Sequence, residues 1–172
     1  MVELFGFIDL QLISTVSASI GILAGVVNWI IRSRRAERQR QVEIETRQAE
    51  LLMGIYDHYL EPEHIDAYIE LIHRQWEDYD DFVKRYIDTG KNASFIQIGR
   101  YFIGIGVLMK KGLIDISLLY TLLSHPITRI WEKYEQIVQG RRIALGFKLW
   151  EDVEYAYHEL KKYEEQHAEL KT

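Results

Sequence analysis

The chain has 172 residues, of which 27% are charged, with a net charge of −5 and no cysteine. This length suits one soluble domain plus one membrane span, and the lack of cysteine excludes disulfides and thiolate chemistry. The charge is unevenly divided, since residues 32–40 carry five arginines and one glutamate, whereas residues 41–172 carry a net charge of −7. Such an acidic body argues against nucleic-acid binding, which depends on neutralising phosphates.

The first feature along the chain is an uncharged run of 22 residues at 10–31. About 20 apolar residues are what an α-helix needs to cross a bilayer. A cleaved signal peptide is disfavoured because the start carries Glu3 and Asp9 but no basic residue. A buried helix of a soluble domain remains the alternative. We therefore expect a transmembrane helix at 10–31, preceded by a short extracytoplasmic amino terminus at 1–9.

Basic residues directly after this run predict its orientation. Arginines concentrate on the cytoplasmic side of a membrane helix and attract anionic headgroups, and tryptophan favours the interface. The amino terminus is thus expected outside, and the rest of the chain in the cytoplasm, which makes a single-pass protein of the cell membrane. The residues assigned to the membrane surface are Trp29, Arg32, Arg34, Arg35, Arg38 and Arg40.

Small and polar residues recur within the run at steps of three and four, which places them on one helical face. Gly21 and Gly25 form a GxxxG motif, whose spacing lets two helix backbones approach closely. Such spacings also arise by chance in runs rich in small residues. Since an amide in apolar surroundings needs a partner, we favour self-association of the helix through Ser14, Ser17, Gly21, Gly25 and Asn28.

A basic helical stalk is predicted at 32–50, because the segment contains good helix formers, no proline and few apolar residues. No sustained heptad pattern crosses it, which argues against a long coiled coil. The remaining residues, 51–172, are expected to form a cytosolic bundle of about four to five helices. A period-two alternation never persists in this region, so the fold class is all-α.

Two long helices open the predicted bundle. An amphipathic helix begins at Pro62 and continues to about Ile87, with Arg74 on its charged face. An apolar helix follows at 94–111. A second membrane span is its rival interpretation, but the fifteen residues at 95–109 are too few to cross a bilayer, and Arg100 lies near their middle.

Three shorter helices complete the predicted bundle. Asp115 or Ser117 caps a helix that ends near Leu123, and a new helix starts at 124–126. A last helix is expected at 147–170, with a highly charged end.

Arg100 is the candidate for a buried ion pair or for a ligand contact. A guanidinium in an apolar helix needs a partner, and Asp115 or an acid at 151–154 would supply one. The functional interpretation is an arginine that binds an anion or a partner protein.

The sequence predicts no catalytic residue, no cofactor and no metal site. The six histidines lack HxxxH or HExxH spacing. His58, Glu61 and His64 are able to meet around the turn at Pro62, but ordinary solvated turn residues are the preferred interpretation.

Taken together, these features resemble an uncharacterised family of prokaryotic membrane-anchored proteins with one amino-terminal span, an arginine-rich stalk and a small helical domain. Besides the uncharged run and its arginines, the resemblance rests on two blocks. These are YFIGIGVLMKKGLID at 101–115 and ITRIWEKYEQIV at 127–138, which is followed by Arg141 and Arg142. The resemblance implies the architecture, and the family has no established activity to carry over.

The function expected from the sequence is non-enzymatic protein–protein interaction, as an adaptor, a regulator or a subunit of a membrane assembly. The expected partners are the lipid bilayer with its anionic headgroups, a second copy of the chain, and another membrane or cytosolic protein, but no nucleic acid. Two alternatives stay open. One is a membrane-tethered ligand sensor or enzyme with a site near Arg100, and the other is an oligomeric pore or transport subunit.

Overall fold

The computed structural model describes the backbone of residues 2–167 and the side chains of residues 28–167. Within residues 2–167 the chain is helical and contains no strand, which confirms the all-α prediction. The helices are α1 (Val2–Tyr59), α2 (Pro62–His73), α3 (Tyr79–Phe82) with a following π-helical turn (Val83–Ile87), α4 (Ala93–Lys110), α5 (Ile116–Leu145) and α6 (Glu151–Gln166). The chain divides into two units, Met1–Thr46 and Arg47–Thr172.

The first unit consists of the amino-terminal part of α1. Among its described side chains, at 28–46, all are exposed except that of Ser33, which is partly buried. In the part of the chain that the structure describes, no helix combines the length and the apolar character that a membrane crossing requires. The prediction of an amino-terminal transmembrane helix at 10–31 was therefore wrong. The side chains of residues 2–27 lie outside the described part.

The physical reason is that residues 10–31 are uncharged but not uniformly apolar. The run at 10–31 contains Gln11 and Asn28 together with several serines and glycines. Each buried polar group without a partner costs free energy, which offsets the gain from its apolar neighbours. The run is also only one section of a helix of 58 residues that continues without a break into a strongly charged segment. The predicted location at the cell membrane depended on the span, and no observation tests it.

The carboxy-terminal part of α1 belongs to the second unit. The boundary between the units follows Thr46, four residues before the predicted end of the stalk at residue 50. The Gln48 side chain donates a hydrogen bond of 2.8 Å to the carbonyl oxygen of Gly112. Leu52, with 1% of its surface exposed, joins the hydrophobic core. These contacts anchor the last turns of α1 in the second unit.

The core of the second unit lies between α4, α5 and α6, with α2 packed on α4. Helix α4 can approach α6 closely because Gly99 and Gly106 lack side chains where Trp150 and the backbone of Asp152 pass. The largest fully buried side chains come mainly from α4 and α5 and include Phe102, Ile105, Leu119, Leu123, Ile127, Ile130, Trp131 and Tyr134. Burial of these apolar surfaces is the main force that holds the helices together.

The predicted amphipathic helix from Pro62 to Ile87 is interrupted. Helix α2 ends at His73, because Arg74 takes an extended backbone conformation with ψ 143°. A new start follows at Asp78, whose side chain accepts a hydrogen bond of 2.9 Å from the backbone nitrogen of Asp81. Such N-cap bonds satisfy otherwise unpaired backbone groups at a helix start. The helical spacing of apolar residues continues across this break, so it predicted one helix where the structure has two starts.

Helix α5 is continuous where two helices were expected. It runs from Ile116 to Leu145 with Pro126 inside it. The hydroxyl of Thr128 donates a hydrogen bond of 2.9 Å to the carbonyl oxygen of Ser124, in the same turn. Proline removes one helical hydrogen bond, but Pro126 is buried in the core, and this packing offsets that loss. The predicted cap at Asp115 is confirmed, since its carboxylate accepts bonds from the nitrogens of Ser117 and Leu118.

The last helix starts later than expected. Helix α6 begins at Glu151, and the preceding Trp150 takes a left-handed conformation with φ 57°. This conformation is strained for a residue other than glycine. It is held by the indole, which is buried and stacks on Phe95 with ring centroids 4.6 Å apart. Residues 168–170 of the predicted helix lie outside the described part.

Candidate functional site

An open cavity of about 570 Å³ lies beside the connection between α1 and α2. We call it the α1–α2 cavity. Its walls come from the last turn of α1, the first turn of α2 and the amino-terminal half of α4. The residues that line it are His58, His64, Ala93, Ile96, Gln97, Arg100 and Tyr101.

The connection itself is built by local chain chemistry. Pro62 occupies the first turn of α2, where its missing N–H is not needed, and Glu61 is the N-cap residue. The backbone nitrogen of His64 donates a hydrogen bond of 2.9 Å to the Glu61 carbonyl oxygen. The side chains of His58 and Glu61 meet with 2.9 Å between Nδ1 and Oε1. The turn therefore brings residues from the end of one helix and the start of the next onto one side.

His64 forms the buried floor of this arrangement, with 8% of its surface exposed. Its ring lies 4.3 Å from the ring of His58 and 5.1 Å from that of Tyr101, measured between centroids. Its Nδ1 atom is buried and has no hydrogen-bond partner among the described residues. One ligand atom from each of His58, Glu61 and His64 lies within 4.8 Å of the others. We call these three residues the His–Glu–His cluster.

Tyr101 borders the cluster and is fixed by its hydroxyl. The hydroxyl donates a hydrogen bond of 2.5 Å to the carbonyl oxygen of Ile55 in α1. Its ring stacks on that of Tyr59 at a centroid distance of 6.1 Å. Burial raises the pKa of Tyr101 above its ordinary value, and the neighbouring Tyr59 adds to this effect. Tyr101 is therefore a neutral hydrogen-bond donor that ties α4 to α1 beside the cavity.

Buried tyrosines predict that the second unit loses stability at high pH. Burial raises the pKa of Tyr59 to about 12 and also raises the pKa values of Tyr101 and Tyr134. Their contribution to stability is complete below pH 10, the unfolded-state pKa, and is lost as pH rises towards the folded-state value. In a spectrophotometric titration we expect three of the eleven tyrosines to ionise only as helicity is lost. Reversible ionisation of all eleven near pH 10, with unchanged circular dichroism, would contradict this.

Arg100 lies in the cavity wall but is not buried. Its side chain is exposed and makes no ion pair with any described residue. The interpretation as a buried ion pair was therefore wrong. Helix α4 has an exposed face that also includes Ile96, Gly104 and Val107, and this face is apolar enough to have looked like core. The interpretation of Arg100 as a ligand contact stays a prediction.

The acids expected to pair with Arg100 have other partners. Asp115 caps α5, and hydrogen bonds from Ser117 and Leu118 lower the pKa of its carboxyl group. Glu154 forms an ion pair of 2.8 Å with Arg142, and Glu151 forms one of 2.7 Å with Lys148. Local caps and closer cations thus satisfy these carboxylates.

Among the described side chains, the buried arginine is Arg74, which the sequence placed on a charged face. Only 4% of its side chain is exposed, and it forms an ion pair of 2.5 Å with Glu70. It also donates to the carbonyl oxygen of Lys91 at 2.7 Å and lies 4.6 Å from the centre of the Tyr86 ring. The hydroxyl of Ser94 donates to the same Glu70 carboxylate and, with Arg74, lowers its pKa. This network joins α2 to α4.

The other predicted site residues belong to the first unit. Ser14, Ser17, Gly21 and Gly25 lie on α1, but their side chains are outside the described part, whereas Asn28 is exposed. The residues assigned to a membrane surface, Trp29, Arg32, Arg34, Arg35, Arg38 and Arg40, are all exposed on α1.

The His–Glu–His cluster is the group that sequence reasoning set aside. The sequence pattern that indicated this cluster was a histidine three residues before Glu61 and another three residues after it, with the helix-starting Pro62 between the two histidines. Such spacing places ligands together only if the chain turns between them. The structure supplies that turn.

A family model described as Domain of unknown function (DUF4760) matches residues 15–160. This supports the expected resemblance to an uncharacterised family. Neither the curated proteins nor the solved structures yielded a significant match to the chain.

Proposed function

The chain belongs to the DUF4760 family of unknown function. From the exposed surface of α1 we propose that it acts by protein–protein interaction, as an adaptor, a regulator or a subunit of a larger assembly. The partner that we propose for α1 is a second copy of the chain. The observation that carries this proposal is the exposed end of the uncharged run. Trp29, Ile30 and Ile31 expose 69%, 38% and 44% of their surfaces. Adjacent exposed apolar side chains of this size are typical of an interaction surface.

Because α1 is one continuous helix, its small and polar residues at 14–28 can form a line along one face, which we call the small-residue seam. Residues 2–59 form one helix, so positions at steps of three and four share a face. Ser14, Ser17, Gly21, Gly25 and Asn28 follow these steps. Small residues at such a seam permit close approach of two helix backbones. The seam ends at Asn28, next to the exposed Trp29.

Asn28 favours a second copy over an unrelated partner. Its amide both donates and accepts hydrogen bonds, and it is exposed on α1. In a parallel pair related by a two-fold axis, Asn28 of one chain faces Asn28 of the other, and the two amides complement each other. A single asparagine in such a seam also fixes the register of the two helices.

A parallel pair brings the two arginine-rich segments side by side. Residues 32–40 of each copy carry five arginines and one glutamate, so these segments repel each other. Added salt screens repulsion between exposed charges, with a Debye length that falls from about 10 Å at 0.1 M to about 3 Å at 1 M. We therefore expect self-association to strengthen as ionic strength rises.

The proposal is tested with two differently tagged full-length copies that are co-expressed and purified through one tag. We expect the second tag to co-purify, and light scattering to give a protein mass of twice 20.4 kDa. The double substitution Gly21→Leu/Gly25→Leu should separate the copies, because leucine keeps the helix but blocks close approach. Raising the salt concentration should increase the dimer fraction of the wild type.

The matched control is Gly21→Ala/Gly25→Ala, which keeps the seam residues small and should remain dimeric. A wild type that stays monomeric at all salt concentrations would exclude the second copy as partner. A dimer that survives the leucine substitutions would exclude the small-residue seam.

A further inference from the structure

We infer that the His–Glu–His cluster binds a divalent transition-metal ion, and that Zn²⁺ is the ion that fits it best. His58 lies in the last turn of α1, Glu61 at the N-cap of α2, and His64 in the first turn of α2. Their ligand atoms all lie within 4.8 Å of one another. Two imidazoles and one carboxylate are a ligand set of zinc sites that hold the ion by three protein groups and leave one position open.

The buried nitrogen of His64 is an independent indication. The residue is more than nine-tenths buried, and its Nδ1 atom has no hydrogen-bond partner among the described residues. A buried polar group without a partner costs about 1–3 kcal/mol, so such groups are rare in folded proteins. Coordination of a metal ion through this nitrogen would satisfy it. The ring contacts with His58 and Tyr101 hold His64 in its position.

The spacing of the other two ligands needs only a small change. His58 Nδ1 and Glu61 Oε1 are 2.9 Å apart, which is a hydrogen-bond distance. Around a tetrahedral zinc with bonds of about 2.0–2.1 Å, two ligand atoms are separated by roughly 3.3 Å. About half of each side chain is exposed, 51% for His58 and 54% for Glu61, so both can move by this amount. The hydrogen bond thus holds two ligands close to the separation that a metal requires.

The surroundings suit an ion with an open coordination position. The cluster faces the α1–α2 cavity, which is open and also lined by Gln97 and Arg100. The ion would bind at the connection between α1 and α2. It would stabilise the second unit, because the folded chain holds the three ligands together and so binds the ion more tightly than the unfolded chain does.

The test uses the full-length chain without a polyhistidine tag, stripped with EDTA and then dialysed against Zn²⁺. We expect one zinc ion per chain by calorimetry and a higher melting temperature with the metal. Co²⁺ in its place should give the visible absorption bands of tetrahedral coordination. Substitution of a residue that only hydrogen-bonds to a metal ligand lowers metal affinity by about 10- to 100-fold. Loss of a ligand itself should cost more, so we expect His58→Gln and Glu61→Gln each to weaken zinc binding by roughly 100-fold or more.

Both substitutions change exposed side chains, so the variants should fold, and far-ultraviolet circular dichroism checks this. The matched control is His125→Gln, which removes an exposed histidine far along the chain on α5 and should bind zinc like the wild type. Absence of stoichiometric binding to the wild type would overturn the inference. Equal affinity in the two cluster variants and the wild type would place the ion elsewhere and would overturn it as well.

Discussion

Gly106→Ala should destabilise the second unit strongly, whereas Gly104→Ala, two residues away on the same helix, should stabilise it slightly. A Cβ atom on Gly106 would overlap the backbone oxygen of Asp152 and lie 2.6 Å from its carbonyl carbon. The clash is with backbone at the start of α6, which cannot rotate away as a side chain would. Overpacking of this kind costs about 1–3 kcal/mol, and we expect the upper end of that range.

Gly104 is the matched control for this prediction. A Cβ atom there meets nothing within 4 Å, and the residue is exposed in the interior of α4. Alanine at such a site stabilises a helix by about 0.5–1 kcal/mol relative to glycine. Urea denaturation of both variants and the wild type gives the two free energies of unfolding. Equal stability of the two variants would contradict the close packing of α4 on α6.

Tyr134→Ala is expected to produce the second large effect, a loss of about 3–5 kcal/mol in the free energy of unfolding. Tyr134 is fully buried, and four aromatic rings surround it. Its ring centroid lies 4.9 Å from that of Trp76 and 5.4 Å from that of Phe95, and Phe82 and Trp150 are at 6.0 and 6.1 Å. Truncation to alanine removes these contacts and leaves a cavity between α2, α4 and α5.

Tyr134→Phe separates the ring from the hydroxyl. The hydroxyl donates a hydrogen bond of 2.9 Å to the carbonyl oxygen of Leu71, which also accepts from the backbone nitrogen of Arg74 at 3.3 Å. Because Leu71 keeps this second partner, we expect phenylalanine to cost only about 1 kcal/mol. Chemical denaturation followed by tryptophan fluorescence measures both variants. Similar losses in the two variants would show that the hydroxyl, not the ring packing, carries the stabilisation.

Some helix ends are determined by neighbouring residues in the chain, and others by packing in the folded unit. The start of α2 at Pro62 and the cap of α5 at Asp115 depend on neighbouring residues alone, and both were predicted from the sequence. The break after His73 and the passage of α5 through Pro126 were not predicted. Both depend on which groups a helix meets in the folded unit. Arg74, for example, donates a side-chain hydrogen bond to the carbonyl oxygen of Lys91, and its own carbonyl oxygen accepts one from Lys133.

In the candidate site as well, the sequence showed the spacing of the residues, but only the fold brought them together. The spacing of His58, Glu61 and His64, three residues apart in each case, was visible in the sequence. This spacing places side chains on one face only within a continuous helix, and α1 ends between His58 and Glu61. Arg100 was expected to be buried but is exposed, since the sequence of a largely apolar helix does not show which of its faces meets solvent.

By itself, the sequence determined the all-α class, the helix start at Pro62 and the absence of disulfides, and it narrowed the cap of α5 to Asp115 or Ser117. These features follow from composition, periodicity and capping within a few residues. Only the tertiary structure decided that Arg74 and not Arg100 is buried, that Gly99 and Gly106 admit α6, and that two histidines and a glutamate converge. These features depend on contacts between residues far apart in the chain, and neither periodicity nor propensity carries that information.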